Sequence, residues 1–179
     1  MRSLPPTLAL ASLPLVAACH APAGLLGEHD LAFEAQAYPA GLQTTVTGLW
    51  DLGDTDVLTV RAGWNETDRR DWGEHDDETG GGPGIGAGWR RYESPARTGW
   101  MYGAYLDVWD LDIDWDEGGT AGKTEVLVVQ PTLQGGYRWD LGAWHLDLTA
   151  GLGVEVNVDT DGEDVGEGAI ALIGFTLTP

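Results

Sequence analysis

From Leu31 to its end this chain alternates apolar and polar side chains with period two, a pattern that antiparallel sheet satisfies and helix does not. The clearest run is Glu125 to Leu141. Leu127, Val129, Pro131, Leu133, Gly135, Tyr137, Trp139 and Leu141 share one face, and Val126, Val128, Gln130, Thr132, Gln134, Gly136, Arg138 and Asp140 share the other. The next run changes parity: Trp144, Leu146, Leu148, Ala150, Leu152, Val154, Val156 and Val158 lie opposite His145, Asp147, Thr149, Gly151, Gly153, Glu155 and Asn157. Asp140 to Ala143 between them predicts a tight hairpin, with Trp139 beside Trp144 and Arg138 beside His145. Weaker runs add six apolar faces. They are Leu31-Phe33-Ala35-Ala37, Leu42-Val46-Trp50, Leu58-Val60-Ala62-Trp64, Ile85-Ala87-Trp89, Trp100-Tyr102-Ala104-Leu106-Val108 and Ala169-Ala171-Ile173-Phe175-Leu177. The last strand is irregular, because Ile170 and Leu172 occupy its second face. The sum is an all-β chain of eight antiparallel strands in up-and-down order.

Such a sheet closes with its apolar face inward, as a soluble barrel, or outward, as a transmembrane one. The polar faces are rich in Gly, Gln and Thr, with isolated charges of both signs, and lack the dense Lys/Glu of a solvated surface. That favours the outward apolar face. Glu34, Arg61, Arg90, Asp107, Arg138, His145, Asp147 and Glu155 then share a lumen barely wide enough for side chains. Mutual neutralisation in a plugged interior is the expectation, with a narrow porin-like ion path as the alternative. Trp50, Trp89, Trp100, Trp139 and Trp144 cluster towards one end of the apolar face, as an aromatic girdle at a membrane interface does. The connections read as short at that end (51–56, 93–98, 140–143) and mostly longer at the other (38–41, 65–84, 110–123, 159–168).

Residues 1–18 read as a signal peptide: Arg2, then an apolar, Pro-bearing stretch from Leu4 too short to span a membrane as helix. It ends Leu15-Val16-Ala17-Ala18-Cys19. These small residues suit ordinary signal peptidase, and they also resemble a lipobox in which Cys19 is acylated as in a lipoprotein. Residues 19–27 form a leader and 28–179 the barrel. Cys19 is the single cysteine, so no intramolecular disulfide forms. With 9 Lys+Arg against 29 Asp+Glu, the net charge is −20, which excludes nucleic acid as a partner.

The eight alternating strands, the export signal and the tight Asp140-Leu141-Gly142-Ala143 turn resemble the small eight-stranded bacterial outer-membrane barrels of the outer membrane protein A-like transmembrane domain superfamily. The resemblance spans about residues 28–179 and rests on architecture. It implies a monomer in the outer membrane of a Gram-negative bacterium, with membrane lipid around it and a surface partner reached through its loops. Those barrels usually end in an aromatic residue, whereas this chain ends Phe175-Thr176-Leu177-Thr178-Pro179.

No catalytic residue emerges. Ser94 is the lone serine of the mature chain and falls in a predicted turn; His145 and Asp147 share a face without an evident hydroxyl nucleophile. Gly80 to Gly86 lacks the Lys and helix of a phosphate cradle. The acidic stretches are predicted as solvated outer loops, with calcium the candidate cofactor at Asp110, Asp112, Asp114, Asn157, Asp159 and Asp161. Asn157-Val158-Asp159-Thr160-Asp161-Gly162 matches the start of an EF-hand loop, but position twelve is Gly168 and Glu167 comes one early. The leading expectation is a non-enzymatic barrel with acidic surface loops, in an envelope-structural or adhesive, partner-binding role. Its competitors are a lipidated soluble lipocalin-like barrel for an apolar ligand and a lipid-modifying enzyme.

Overall fold

The computed structural model describes residues 29–70 and 73–179; the signal segment, the leader with Cys19, and Asp71 lie outside these residues. Eight strands follow in chain order: β1 (His29–Tyr38), β2 (Gly41–Asp51), β3 (Asp56–Arg70), β4 (Asp77–Tyr92), β5 (Gly99–Glu117), β6 (Thr120–Asp140), β7 (His145–Asp161) and β8 (Gly168–Thr178). Each pairs antiparallel with its sequence neighbours, and β1 pairs with β8 to close the ring. The closure is staggered. A row of partners followed from Ile173 through Ala37, Leu42, Glu66, Gly81, Asp112 and Glu125 arrives on β7 at Asp161, whereas Ile173 itself pairs with Ala150. Tilted strands require such a shift to close.

The apolar face is outward. Leu133 and Leu152 are both 69% exposed, while Arg138 is 5% exposed and Asp147 is fully buried. The alternation thus has the transmembrane hand, with polar groups filling the inside.

Three outer connections differ from the sequence expectation. β3 continues to Arg70 and β4 starts at Asp77, so most of 65–84 is strand, Gly80 to Gly86 included. The stretch 110–123 is almost wholly strand: Gly118 and Gly119, with φ of 57° and 87°, make a two-residue turn between Glu117 and Thr120. Two left-handed residues match the twist of a hairpin, and glycine takes them without a Cβ clash. β7 likewise runs to Asp161, past a bulge at Leu127/Val128 where Val158 is the extra residue. The physical reason is a reversal of polarity with no loss of alternation. On β5 the outward residues change from Trp100, Tyr102, Ala104, Leu106 and Val108 to Asp110, Asp112, Asp114 and Asp116, while Trp109, Leu111 and Ile113 turn inward. An acidic stretch resembles a loop if polarity alone is counted; its pleat is intact.

The β6–β7 hairpin also differs in register. Its strands end at Asp140 and resume at His145, the Leu141 N–H donating to the Trp144 carbonyl at 2.8 Å and the Gly142 N–H to Asp140 Oδ1 at 2.7 Å. Trp139 therefore pairs with Leu146, Asp140 with His145, and Arg138 with Asp147, not with His145. The irregular face of β8 has a place too: Ile170 and Leu172 pack with Tyr38 and Ala40 under the short first hairpin.

Candidate functional site

Strand parity sends one set of ionic side chains into the lumen, and the stagger decides which of them meet. Arg61 (β3) donates through Nη1 to Glu34 (β1) at 2.8 Å and through Nε to Asp107 (β5) at 2.6 Å. Arg90 (β4) donates to Asp147 (β7) at 2.8 Å and lies 3.6 Å from the second oxygen of Glu34. Arg138 (β6) holds Asp147 from the other side, its Nη2 at 2.7 Å. The result is one alternating chain across the barrel, Asp107, Arg61, Glu34, Arg90, Asp147 and Arg138, all buried. Three cations face three carboxylates, and each charge has at least one opposite neighbour, as burial at this depth requires. Tyr105 and Tyr92, which the alternation had not marked as functional, complete the plug. Tyr105 accepts from Arg90 Nε at 2.7 Å and lies under the Arg61 guanidinium, and Arg138 stacks over Tyr92.

Above this layer the lumen is neutral. Gln36 pairs with Gln134 at 3.2 Å and Gln43 with Gln130 at 2.8 Å. A second ionic cluster follows, in which Arg69 bridges Glu78 at 3.2 Å and Glu155 at 3.0 Å. Glu155 lies on the lumen-facing parity of β7; Arg69 and Glu78 fall within the stretch 65–84 that the sequence reads as a loop. Their signal was present, since Arg69 continues the parity of Arg61, Asn65 and Thr67, and Glu78 that of Arg90. Beside them, at the same end of the lumen, Trp109, Leu111, Ile113, Val126, Val128 and Val165 make an apolar core. The glycines of β4 admit it: a Cβ on Gly84 would collide with the Trp109 ring.

His145 stands apart from the ion chain. It is half-buried at the mouth where β1 begins and β8 ends, lining a cleft of about 400 Å³ with Asp30, Asp51, Asp54, Arg97 and Arg138, and its Nδ1 is buried without a hydrogen-bond partner. Ser94, far from it in the chain, is engaged in its own turn, donating to the Thr98 carbonyl at 3.1 Å. Among the described residues Ser94 and His145 are not brought together.

On the wall, Trp100, Trp139 and Trp144 are exposed at the end where β1 begins and β8 ends. Trp50 and Trp89 are half-buried there, Trp50 lying over Gly48 and Trp89 donating to Asp56 at 2.9 Å. Tyr102 and Tyr137 join them, packed edge-on against Trp89 and Trp100. Towards the other end the wall turns acidic along a line through Trp64/Glu66, Val108/Asp110, Leu127/Glu125 and Val158/Asp159.

The geometry does not gather the candidate calcium ligands. Asp110, Asp112 and Asp114 point outward along one strand, where alternate residues stand about 6.6 Å apart, too far to share one ion. Asn157 faces the other way, donating to the Val165 carbonyl at 2.9 Å, while Asp159 and Asp161 are exposed past the bulge. Among the described residues no three His, Cys, Asp or Glu side chains converge on a cation position.

No protein-family model and no curated protein matches the chain. Two solved structures are similar. The N-terminal β-barrel domain of Pseudomonas aeruginosa OprF shares 12% identity over 84% of this chain and 96% of its own, with a TM-score of 0.54. Neisserial surface protein A shares 13% identity over 84% of this chain and 92% of its own, with a TM-score of 0.46. At that identity the OprF likeness concerns the fold, an eight-stranded up-and-down barrel.

Proposed function

We propose that this chain resides as a monomer in the outer membrane of a Gram-negative bacterium, as a non-enzymatic, non-conducting barrel whose acidic outer end serves envelope integrity or partner binding. The observation that carries the reading is the line at which the wall changes from apolar to acidic while the pleat continues unbroken. Trp100 to Val108 on β5 matches the roughly 9–11 residues of a tilted membrane strand. The aromatic cluster stands at one limit and Asp110 begins beyond the other. Past that line the outside is charged, and the inside holds an apolar core beside the Arg69–Glu78–Glu155 cluster. The likeness to a domain of an outer-membrane-type fold supports the location.

The non-conducting part rests on the ion chain and the apolar core, which fill the lumen in successive layers. The test uses the full chain with Cys19→Ala, so that no lipid anchor retains it. It should need detergent for extraction, migrate faster unheated than boiled, and give no steady conductance in planar bilayers. Free solubility of that variant overturns the membrane reading, and steady conductance overturns the plug.

A further inference from the structure

The outer wall is not uniformly convex. On β6 and β7 the paired residues Gly135 and Ala150 face outward with almost no side chain, between the projecting Leu133 and Leu152 on one side and Tyr137 and Leu148 on the other. The resulting groove has a volume of about 490 Å³ and runs from Trp100 and Trp139 at the aromatic end towards Ile173. Its aromatic end is a built frame. Tyr137 meets Trp100 edge-on at 5.4 Å and Trp139 at 4.9 Å between ring centroids. The carboxylates beside this frame are Glu93, which accepts from the Trp100 N–H at 3.4 Å, and Asp140, next to Trp139 in the chain.

We infer that this groove holds one acyl chain of an inner-leaflet phospholipid whose headgroup carries an ammonium. The inference rests on the membrane reading above. An apolar groove inside the hydrocarbon band takes hydrocarbon, and its beginning at the interfacial aromatics places the headgroup there. An ammonium is attracted both by indole and phenol faces and by the two carboxylates, whereas an anionic headgroup meets repulsion from Glu93 and Asp140.

The experiment is native mass spectrometry of the refolded full chain in detergent, equilibrated with equal amounts of ethanolamine and glycerol phospholipids of identical acyl chains. One ethanolamine lipid should be retained per barrel, with roughly tenfold preference, or about 1.4 kcal/mol. Gly135→Leu and Ala150→Leu should abolish retention, and Glu93→Gln should reduce the preference while leaving a lipid bound. Gly135→Leu starts in open space, since the nearest atom to a Cβ there is the Met101 carbonyl oxygen at 3.7 Å. Val60→Leu, elsewhere on the wall, should retain lipid as the parent does. No retained lipid, equal retention of both headgroups, or unchanged retention in both groove-filled variants overturns the inference. Heat-modifiable migration of each sample separates the two failures. A barrel that folds and inserts without holding the lipid refutes the groove alone, and one that never inserts refutes the membrane reading.

Discussion

Replacing Arg61 by methionine tests the ion chain where it is least redundant. Arg61 is the partner of Asp107 on both carboxylate oxygens and one of two cations on Glu34. Its loss leaves Glu34 with Arg90 at 3.6 Å but leaves Asp107 with no cation in a site 1% exposed. Removing one member of a buried pair costs about 3–5 kcal/mol, because the stranded charge loses compensation without regaining water. Arg61→Met should therefore destabilise the barrel by about 3–5 kcal/mol. Arg138→Met should cost less, since Asp147 keeps Arg90 at 2.8 Å. The double variant Arg61→Met/Asp107→Asn should recover much of the loss, with a coupling of about 1–3 kcal/mol. Urea unfolding from lipid vesicles, followed by tryptophan fluorescence at constant lipid composition, reads all three. The reasoning is refuted if Arg61→Met costs under about 1 kcal/mol, or if Asp107→Asn restores nothing.

Two further predictions concern the ends of the wall. Leu133→Arg, deep in the apolar band, should cost about 2–4 kcal/mol, while Asp112→Lys beyond the acidic line should change stability by under about 0.5 kcal/mol; equal effects in the same unfolding assay would misplace the membrane boundary. His75 stacks on Trp115 and faces acceptors at both ring nitrogens, Glu117 at 3.2 Å and the Asp164 carbonyl at 2.9 Å, which only an imidazolium satisfies together. Desolvation lowers its pKa, but the bonds to Glu117 and Asp164 and the nearby Glu78 outweigh it and hold the pKa above the usual 6.5. Because the folded value is the raised one, this contribution is fully present below pH 6.5 and is lost as pH rises through the folded pKa. Hydrogen-exchange protection factors, corrected for the intrinsic pH dependence, should fall across that window in the β5–β6 turn and in 162–167 of the parent and stay constant in His75→Gln; a titration midpoint at or below 6.5 by NMR would contradict it.

Much of the lumen was legible before any fold was known. Glu34, Arg61, Arg90, Asp107, Arg138, Asp147 and Glu155 are buried because each sits on the polar parity of its strand. Arg69 and Glu78 are not legible in that way, because crowded acidic residues resemble a loop, although the pleat and the parity continue through them. The partner of Arg138 escaped for another reason. A turn of the same length displaced by one residue shifts the register by two, exchanging His145 for Asp147 as its neighbour.

Alternation is a property of the chain in one dimension, so the sequence alone determined eight strands and which residues of each share a face. It also supplied the opposite charges that a polar interior needs. Which charge meets which depends on strand stagger, a closure condition that every strand must satisfy together; only the rolled sheet placed Arg61 between Glu34 and Asp107. The tertiary structure also decided where membrane-like polarity stops. A strand in hydrocarbon must hide its polar groups inside, a strand in water must hide its apolar ones, and the same pleat serves both once the medium changes.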